Sequence, residues 1–170
     1  MMNRSLKNSK GFTLLEVLIA TVILAVGLLG ISGLQVTGLR SNNSALMRSQ
    51  ATLLAYDMSD RMRSNAVGVT ASSYNQPAAT ANAACGTTAG CSAVAMAMND
   101  MSVWSTNITN TLPTGAGIVC IDSTPVDGVG ASAADNACDD VGTGYAIKIW
   151  WQDSRNSAAA LQRFAVTHVQ

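Results

Sequence analysis

An apolar run near the N-terminus dominates the hydrophobic pattern of the chain. From Val17 to Leu39 there is no charged residue, and about 20 apolar residues in a helix are enough to span the core of a bilayer. Arg4, Lys7 and Lys10 precede the run, and the positive-inside rule places that end in the cytoplasm. The pattern therefore predicts one membrane-spanning helix, with the rest of the chain in the periplasm.

Apolar residues continue at helical spacing beyond the membrane-length run. They are Leu39, Leu46, Met47, Leu53, Leu54, Met58 and Met62. No proline interrupts the chain between Phe12 and Gln76, and Asp57 and Arg61 form an i, i+4 pair. The spacing predicts one helix from about Phe12 to Asn65, with residues 12–39 in the membrane and residues 40–65 outside it.

Residues 66–170 have the pattern of a small mixed head. Residues 66–93 are rich in small polar residues and predict a loop, whereas apolar residues at intervals of three and four predict a short amphipathic helix from about Ser92 to Leu112. Three short segments then predict strands, namely "AGIVCI" at 116–121, "YAIKIWWQ" at 145–152 and "LQRFAVTHV" at 161–169. The predicted class is α+β, with an antiparallel sheet packed over the second half of the long helix.

The middle strand alternates, so its side chains should divide between two faces. Tyr145, Ile147, Ile149 and Trp151 share one face, and Lys148, Trp150 and Gln152 share the other. Two adjacent tryptophans then point in opposite directions. We expect one of them in the core, and the other either against the long helix or exposed as a subunit contact.

Composition and charge narrow the range of partners. Charged residues make up 12% of the chain, and ten basic residues balance ten acidic ones. Without Arg4, Lys7 and Lys10 the balance becomes 10 − 3 = 7 basic against 10 acidic residues, a net charge of −3. Such a surface lacks the electrostatic footprint of a nucleic-acid-binding protein.

Four cysteines follow the apolar segment, at positions 85, 91, 120 and 138. No two form a C-x-x-C pair and His168 is the only histidine, so the spacing does not indicate a zinc site. Two disulfides in an oxidising compartment are the better interpretation. Of the three possible pairings, we favour Cys85–Cys91 and Cys120–Cys138.

The remaining polar residues suggest no chemistry of their own. Five aspartates lie between residues 122 and 140, but their spacing matches no EF-hand loop and a solvated loop is expected. His168 reads as an ordinary residue at a strand end. Without a nucleophile–base set, a metal cluster or a phosphate loop, we expect neither an enzyme nor a cofactor.

Glu16, the only glutamate of the chain, lies inside the apolar run. An ionisable group there costs at least about 2.5 kcal/mol near the bilayer centre, and less near its edge. A secretory signal would have a shorter apolar core and a small-residue cleavage site. A plain membrane anchor would leave Glu16 unexplained, so this carboxylate predicts a function.

The segment "GFTLLEVLIA" at 11–20 resembles the processing site of type IV prepilins. The elements of that site are Gly11, Phe12, Thr13, Leu14 and Glu16, after a basic leader. The resemblance implies that prepilin peptidase removes residues 1–11 and that Phe12 becomes the N-methylated first residue. It also implies that Glu16 aligns subunits in a filament, paired with the Phe12 amine of its own chain or of a neighbour.

The stretch from 28 to 65 resembles the PilV group of minor type IV pilins, most closely in "SQATLLAYDMSDRMRSN". The resemblance implies a pilin fold and a minor pilin that initiates or caps a type IV pilus. Its implied partners are other minor pilins, the major pilin and the inner-membrane assembly platform. Asp57, Asp60, Arg61 and Arg63 then become candidate contacts with a neighbouring minor pilin, or else a solvated helix face. A type II secretion pseudopilin and a pilus-tip adhesin are the alternatives.

Overall fold

A 51-residue helix, α1, runs from Leu14 to Ser64 in the computed structural model, within one or two residues of the expected bounds. The structure describes residues 11–125, 130–153 and 158–169. The basic leader with Arg4, Lys7 and Lys10 therefore lies outside the described residues, as does Asp127 of the acidic segment. Thr13 caps α1, because its Oγ1 accepts a hydrogen bond of 3.2 Å from the Glu16 N–H.

The chain divides into two compact units, residues 1–43 and residues 44–170. In the described part of the first unit, the side chains of α1 are exposed on every side. Its most apolar window has a mean hydropathy of 2.6. Among the described residues, α1 is the one helix that is long and apolar enough to cross a membrane.

The second unit contains the end of α1, two further helices and a sheet. Helix α2 spans Ala66–Thr70 and helix α3 spans Ala93–Thr111, with a 3₁₀ turn at Ala83–Gly86 between them. The predicted loop at 66–93 is therefore partly helical. Asn65 caps α2 and Ser92 caps α3 through side-chain oxygens that accept backbone N–H bonds.

The sheet has three antiparallel strands in the order β1-β2-β3. They are β1 at Ala116–Ile121, β2 at Tyr145–Trp151 and β3 at Gln162–His168. The α+β layout expected from the sequence is thus present. In the central strand, β2, every side chain is buried, so both faces of the sheet are covered there, whereas most residues of β1 and β3 are only partly buried.

One hydrophobic core joins α1, α3 and the inner face of the sheet. From α1 it receives Ala51, Ala55, Met58 and Met62. The rest includes Trp104 and Ile108 of α3 with Tyr145, Ile147, Ile149 and Trp151 of β2. Trp104 is fully buried and its indole N–H donates 2.8 Å to the Leu54 carbonyl, which fastens α3 to α1.

The second tryptophan, Trp150, was expected either against the long helix or exposed as a subunit contact, and it lies in neither position. Its side chain lies on the outer face of β2 and is nevertheless 1% exposed. Its indole N–H donates to the Gly130 carbonyl at 3.2 Å, so the loop between β1 and β2 covers it. The outer face of the sheet is a second buried layer because this loop folds back over it.

Candidate processing and assembly sites

The residues of the prepilin-like motif lie at the very start of α1. Gly11, Phe12 and Thr13 are non-helical and exposed, and Phe12 is 83% exposed. The Gly11–Phe12 peptide bond therefore lies in irregular chain just before the first helical turn. The bond is therefore exposed and outside the helical hydrogen-bond ladder.

The start of α1 has a capping signal that was not considered in the sequence analysis. Thr13-Leu14-Leu15-Glu16 has the T-x-x-E spacing of a capping box, in which the third helical residue reaches back to the cap. The Thr13 half of the box is formed. A carboxylate in the first turn also faces the positive end of the helix dipole. Phe12 and Glu16 line one surface hollow of the helix together with Ala20 and Leu24.

Two of the four charged residues proposed as minor-pilin contacts are engaged inside the head. Arg61 lies 3.0 Å from Asp57 and 3.3 Å from the buried Asp100 of α3. Asp100 also accepts a 2.5 Å hydrogen bond from the Tyr74 hydroxyl. Burial, and then this bond to Asp100, raise the pKa of Tyr74 well above its usual range, so the phenol stays a donor.

The other two candidates remain on the surface. Asp60 and Arg63 form an ion pair of 2.8 Å with both side chains about two thirds or more exposed. Exposed pairs of this kind contribute about 0–1 kcal/mol to stability. Asp60 and Arg63 could therefore meet a partner at low cost, whereas Arg61 would have to leave its pairs with Asp57 and Asp100.

Asn65 joins the end of α1 to the head. Its side-chain amide donates 2.8 Å to the Ala93 carbonyl and 3.2 Å to the Tyr74 hydroxyl. Its carbonyl oxygen accepts from the Gly68 N–H at 3.2 Å. Because one side chain satisfies three partners, the turn after α1 and the start of α3 are held together.

His168, expected to be an ordinary strand-end residue, is buried and has a partner. Its Nδ1 lies 2.8 Å from the Ser59 hydroxyl of α1. Burial lowers the pKa of His168, and the positive charge of Arg63 lowers it further. A serine and a histidine at this distance form a polar pair, and no carboxylate is described as a third member beside them.

The disulfides are Cys85–Cys91 and Cys120–Cys138, the pairings that the spacing favoured. The first encloses a short exposed loop. The second ties Cys138 to β1, and the described residues 130–138 lie over the outer face of the sheet, where Lys148 and Trp150 are buried.

Of the described aspartates in the acidic segment only Asp122 is buried, and the exposed ones include two that bond within the head. Asp122 is buried beside Lys148. Asp139 accepts bonds from the side chain and backbone of Ser123 and from the Val141 N–H, and these bonds lower its pKa. Asp140 accepts a 3.0 Å bond from Asn75. These carboxylates organise the loop.

Two family models match consecutive parts of the chain. The prokaryotic N-terminal methylation motif matches residues 6–32, and type IV pilin Tt1218 matches residues 33–102. No curated protein and no solved structure matches the chain. The motif implies cleavage by prepilin peptidase and assembly into a pilus with other pilins, and it fits a membrane-anchored subunit. The helix, the sheet and both family matches agree: the chain belongs to the type IV pilin family.

Proposed function

We propose that this pilin is a minor pilin of the PilV group, which initiates or caps assembly of a type IV pilus. The observation that carries the proposal is the 57–65 segment, "DMSDRMRSN". Its apolar and inward-facing polar residues hold the head, while Asp60 and Arg63 stay exposed. In this role the protein is structural, and it supports adhesion, twitching motility and DNA uptake through the pilus without catalysis of its own.

The proposed topology follows from the apolar run. The protein is held in the inner membrane by residues 12–39, with its N-terminus in the cytoplasm and residues 40–170 in the periplasm. The two disulfides of the head fit that oxidising compartment. Prepilin peptidase cuts after Gly11, the new amine of Phe12 is methylated, and the assembly platform adds the subunit beside other minor pilins and the major pilin.

Glu16 supplies the axial register in this proposal. A buried carboxylate in an apolar helix bundle is costly unless it is paired. Cleavage after Gly11 creates a positive amine on Phe12, which shares a surface hollow with Glu16. If two subunits slide along each other so that the carboxylate and the amine separate, both charges are left unpaired in an apolar bundle. The pair therefore favours one axial alignment of the subunits, as buried polar residues do in coiled coils.

Three variants distinguish a role of Glu16 in subunit alignment from a role in capping α1. Glu16→Gln keeps a side chain that can complete the box but removes the charge, Glu16→Ala removes both, and Thr13→Ala removes only the cap. All three should be cleaved and inserted in the membrane. Immunoblots of sheared pili should show loss of incorporation in both Glu16 variants and little change in Thr13→Ala. Normal incorporation of Glu16→Gln would refute the register.

A deletion strain tests whether the protein acts in a type IV pilus or in a type II secretion system. Loss of surface pili and twitching with normal protein secretion supports a pilus role, and restoration by the wild-type chain is the control. Loss of secretion with normal pili would instead identify a type II secretion pseudopilin. Normal pilus number with lost surface attachment would identify a tip adhesin.

A double variant tests directly whether the exposed residues of the 57–65 segment contact other minor pilins. Asp60→Ala combined with Arg63→Ala should leave the chain at normal levels and reduce cross-linking to other minor pilins in the inner membrane. A matched control is Arg48→Ala, which lies on the same helix outside the segment. Unchanged cross-linking of the double variant would remove the support that this segment gives to the proposal.

A further inference from the structure

The outer face of β2 buries a lysine among apolar side chains. Lys148 is 0% exposed. Its cross-strand neighbours are Ile118 on β1 and Ala165 on β3, and Trp150 follows on the same face. A lysine almost never lies fully buried without a partner, so the groups around its amine determine its chemistry.

Three oxygen atoms surround the Lys148 amine. Nζ donates to the carbonyls of Asn136 and Ala137 at 2.8 and 3.3 Å. It lies 2.5 Å from Oδ2 of Asp122, whose side chain is also 0% exposed. Oδ2 has no hydrogen-bond partner among the described residues, so this close contact lacks the directions of a hydrogen bond.

The two oxygens of the Asp122 carboxyl group differ in their surroundings. Oδ1 accepts a 3.0 Å bond from the Thr124 N–H, whereas Oδ2 contacts the amine. A neutral amine that gives its two hydrogens to two carbonyls has its lone pair left for a third direction. Here the third direction is towards the Asp122 carboxyl group.

We propose that Lys148 and Asp122 condense to an intramolecular amide cross-link. Proton transfer within the pair removes both charges from a buried site, where isolated ions are costly. The Nζ–Cγ bond forms and the Cγ–Oδ2 bond breaks. Oδ2 leaves as water with two hydrogens from the nitrogen, one hydrogen stays on the amide, and no oxidant or reductant takes part.

The site contains what such a slow, single-turnover condensation requires. Fixed proximity of amine and carboxyl group replaces an encounter in solution. The Thr124 N–H stabilises negative charge on Oδ1 as the tetrahedral intermediate forms. Burial under the 130–138 loop withholds the water that would favour hydrolysis. The cross-link joins β2 to the residue two positions after Cys120, so it fixes the start of the loop to β2 independently of the Cys120–Cys138 disulfide.

Peptide mapping of the full chain tests the cross-link. The protein is extracted in detergent, reduced, alkylated and digested with trypsin. We expect no cut after Lys148 and an uncut 64–155 peptide that is lighter by one water molecule. Chymotrypsin, which cuts after Tyr145, should give a branched peptide whose fragments join Asp122 to Lys148. Efficient cleavage after Lys148, with both products at full mass, would overturn the proposal.

One side reaction gives the same mass loss and needs its own control. Asp127-Gly128 is a sequence that forms succinimides, which also lose one water. Lys148→Met keeps an apolar side chain of similar length and removes the amine, so the cross-link disappears and a succinimide persists. Fragment ions that place the loss at Asp127 in the wild-type chain count against the cross-link, whether or not the variant folds.

Discussion

The hydroxyl group of Ser59 lies 2.8 Å from Nδ1 of His168, and this contact joins α1 to the last residue of β3. Both side chains are buried, and Tyr145 lies opposite His168 on β2. Sheet and helix are therefore linked by a polar contact whose donor and acceptor depend on the protonation of one imidazole ring.

The stability of the head should fall in mild acid because of His168. Burial and the charge of Arg63 lower the His168 pKa in the folded state below its ordinary value of 6.5. The unfolded chain therefore binds the proton first, and the contribution of the neutral ring is present above about pH 6.5 and is lost as the pH falls towards the folded pKa. Urea midpoints of the full chain in detergent, followed by tryptophan fluorescence, measure this loss.

His168→Gln is the matched control for the pH experiment. Glutamine can bond to Ser59 and does not titrate, while the carboxylates of the head titrate in both proteins. The difference between the two midpoint curves isolates His168 and should grow between about pH 7 and pH 5. Parallel curves would show that His168 does not contribute to the acid sensitivity.

Tyr74→Phe should weaken the attachment of the segment after α2 to α3. The variant removes the hydroxyl group that donates to Asp100 and leaves a buried carboxylate with one partner fewer. A hydrogen bond to a charged group contributes about 1.5–3 kcal/mol, and the free energy of unfolding should fall by that amount. Tyr56→Phe, at an exposed position of α1, should change it by less than about 0.5 kcal/mol. Equal effects of the two variants would contradict the role of the Asp100 network.

Gly117→Ala should destabilise the packing of β1 on α3. An added Cβ would lie 2.5 Å from Cη2 of Trp104 and 2.5 Å from Cδ1 of Ile108. Both groups are buried, so the core must shift, and overpacking costs about 1–3 kcal/mol. Gly144→Ala, where a Cβ meets open space, is the control. Unfolding at the same urea concentration for both variants would show that this contact is loose.

The elements that carry a strong local signal could be predicted from the sequence. The membrane-length run is recognised by its length and lack of charge, Trp104 and Ile108 recur at helical spacing, and the strands are short and β-branched between turn residues. The Gly11–Glu16 motif could be found because its residues are adjacent. The capping box at Thr13 had the same kind of signal and was overlooked in favour of the charge of Glu16.

The buried face of α1 was harder to predict because its contacts use small residues. Ala51 and Ala55 are fully buried, whereas Leu53 is exposed. A search for large apolar residues finds Leu53 and passes over alanines, although a helix approaches its neighbour most closely where the side chains are small. Met58 and Met62 lie on the same buried face and could be found by their size, whereas the burial of Ala51 and Ala55 is evident only from the packing.

The burial of the outer face of β2 could not be predicted from the periodicity of the sequence. Lys148 on an alternating strand is typical of a solvent face, and the segment after β1 has the composition of a free loop. What buries Lys148 and Trp150 is a return of the chain, made through backbone carbonyls of Gly130, Asn136 and Ala137. Backbone acceptors are the same in every residue, so their partners could not be read from side chains.

The loop that covers Trp150 has a consequence for how the head can diversify. A surface loop that packs on nothing can accept many substitutions without disturbing the fold. This one is held from beneath at Gly130 and Asn136, and an added Cβ at Gly130 would lie 2.8 Å from the Asn136 carbonyl oxygen. In the described part of this loop, substitutions are therefore tolerated best where side chains face outward, because the backbone at Gly130 and Asn136 is held against the sheet.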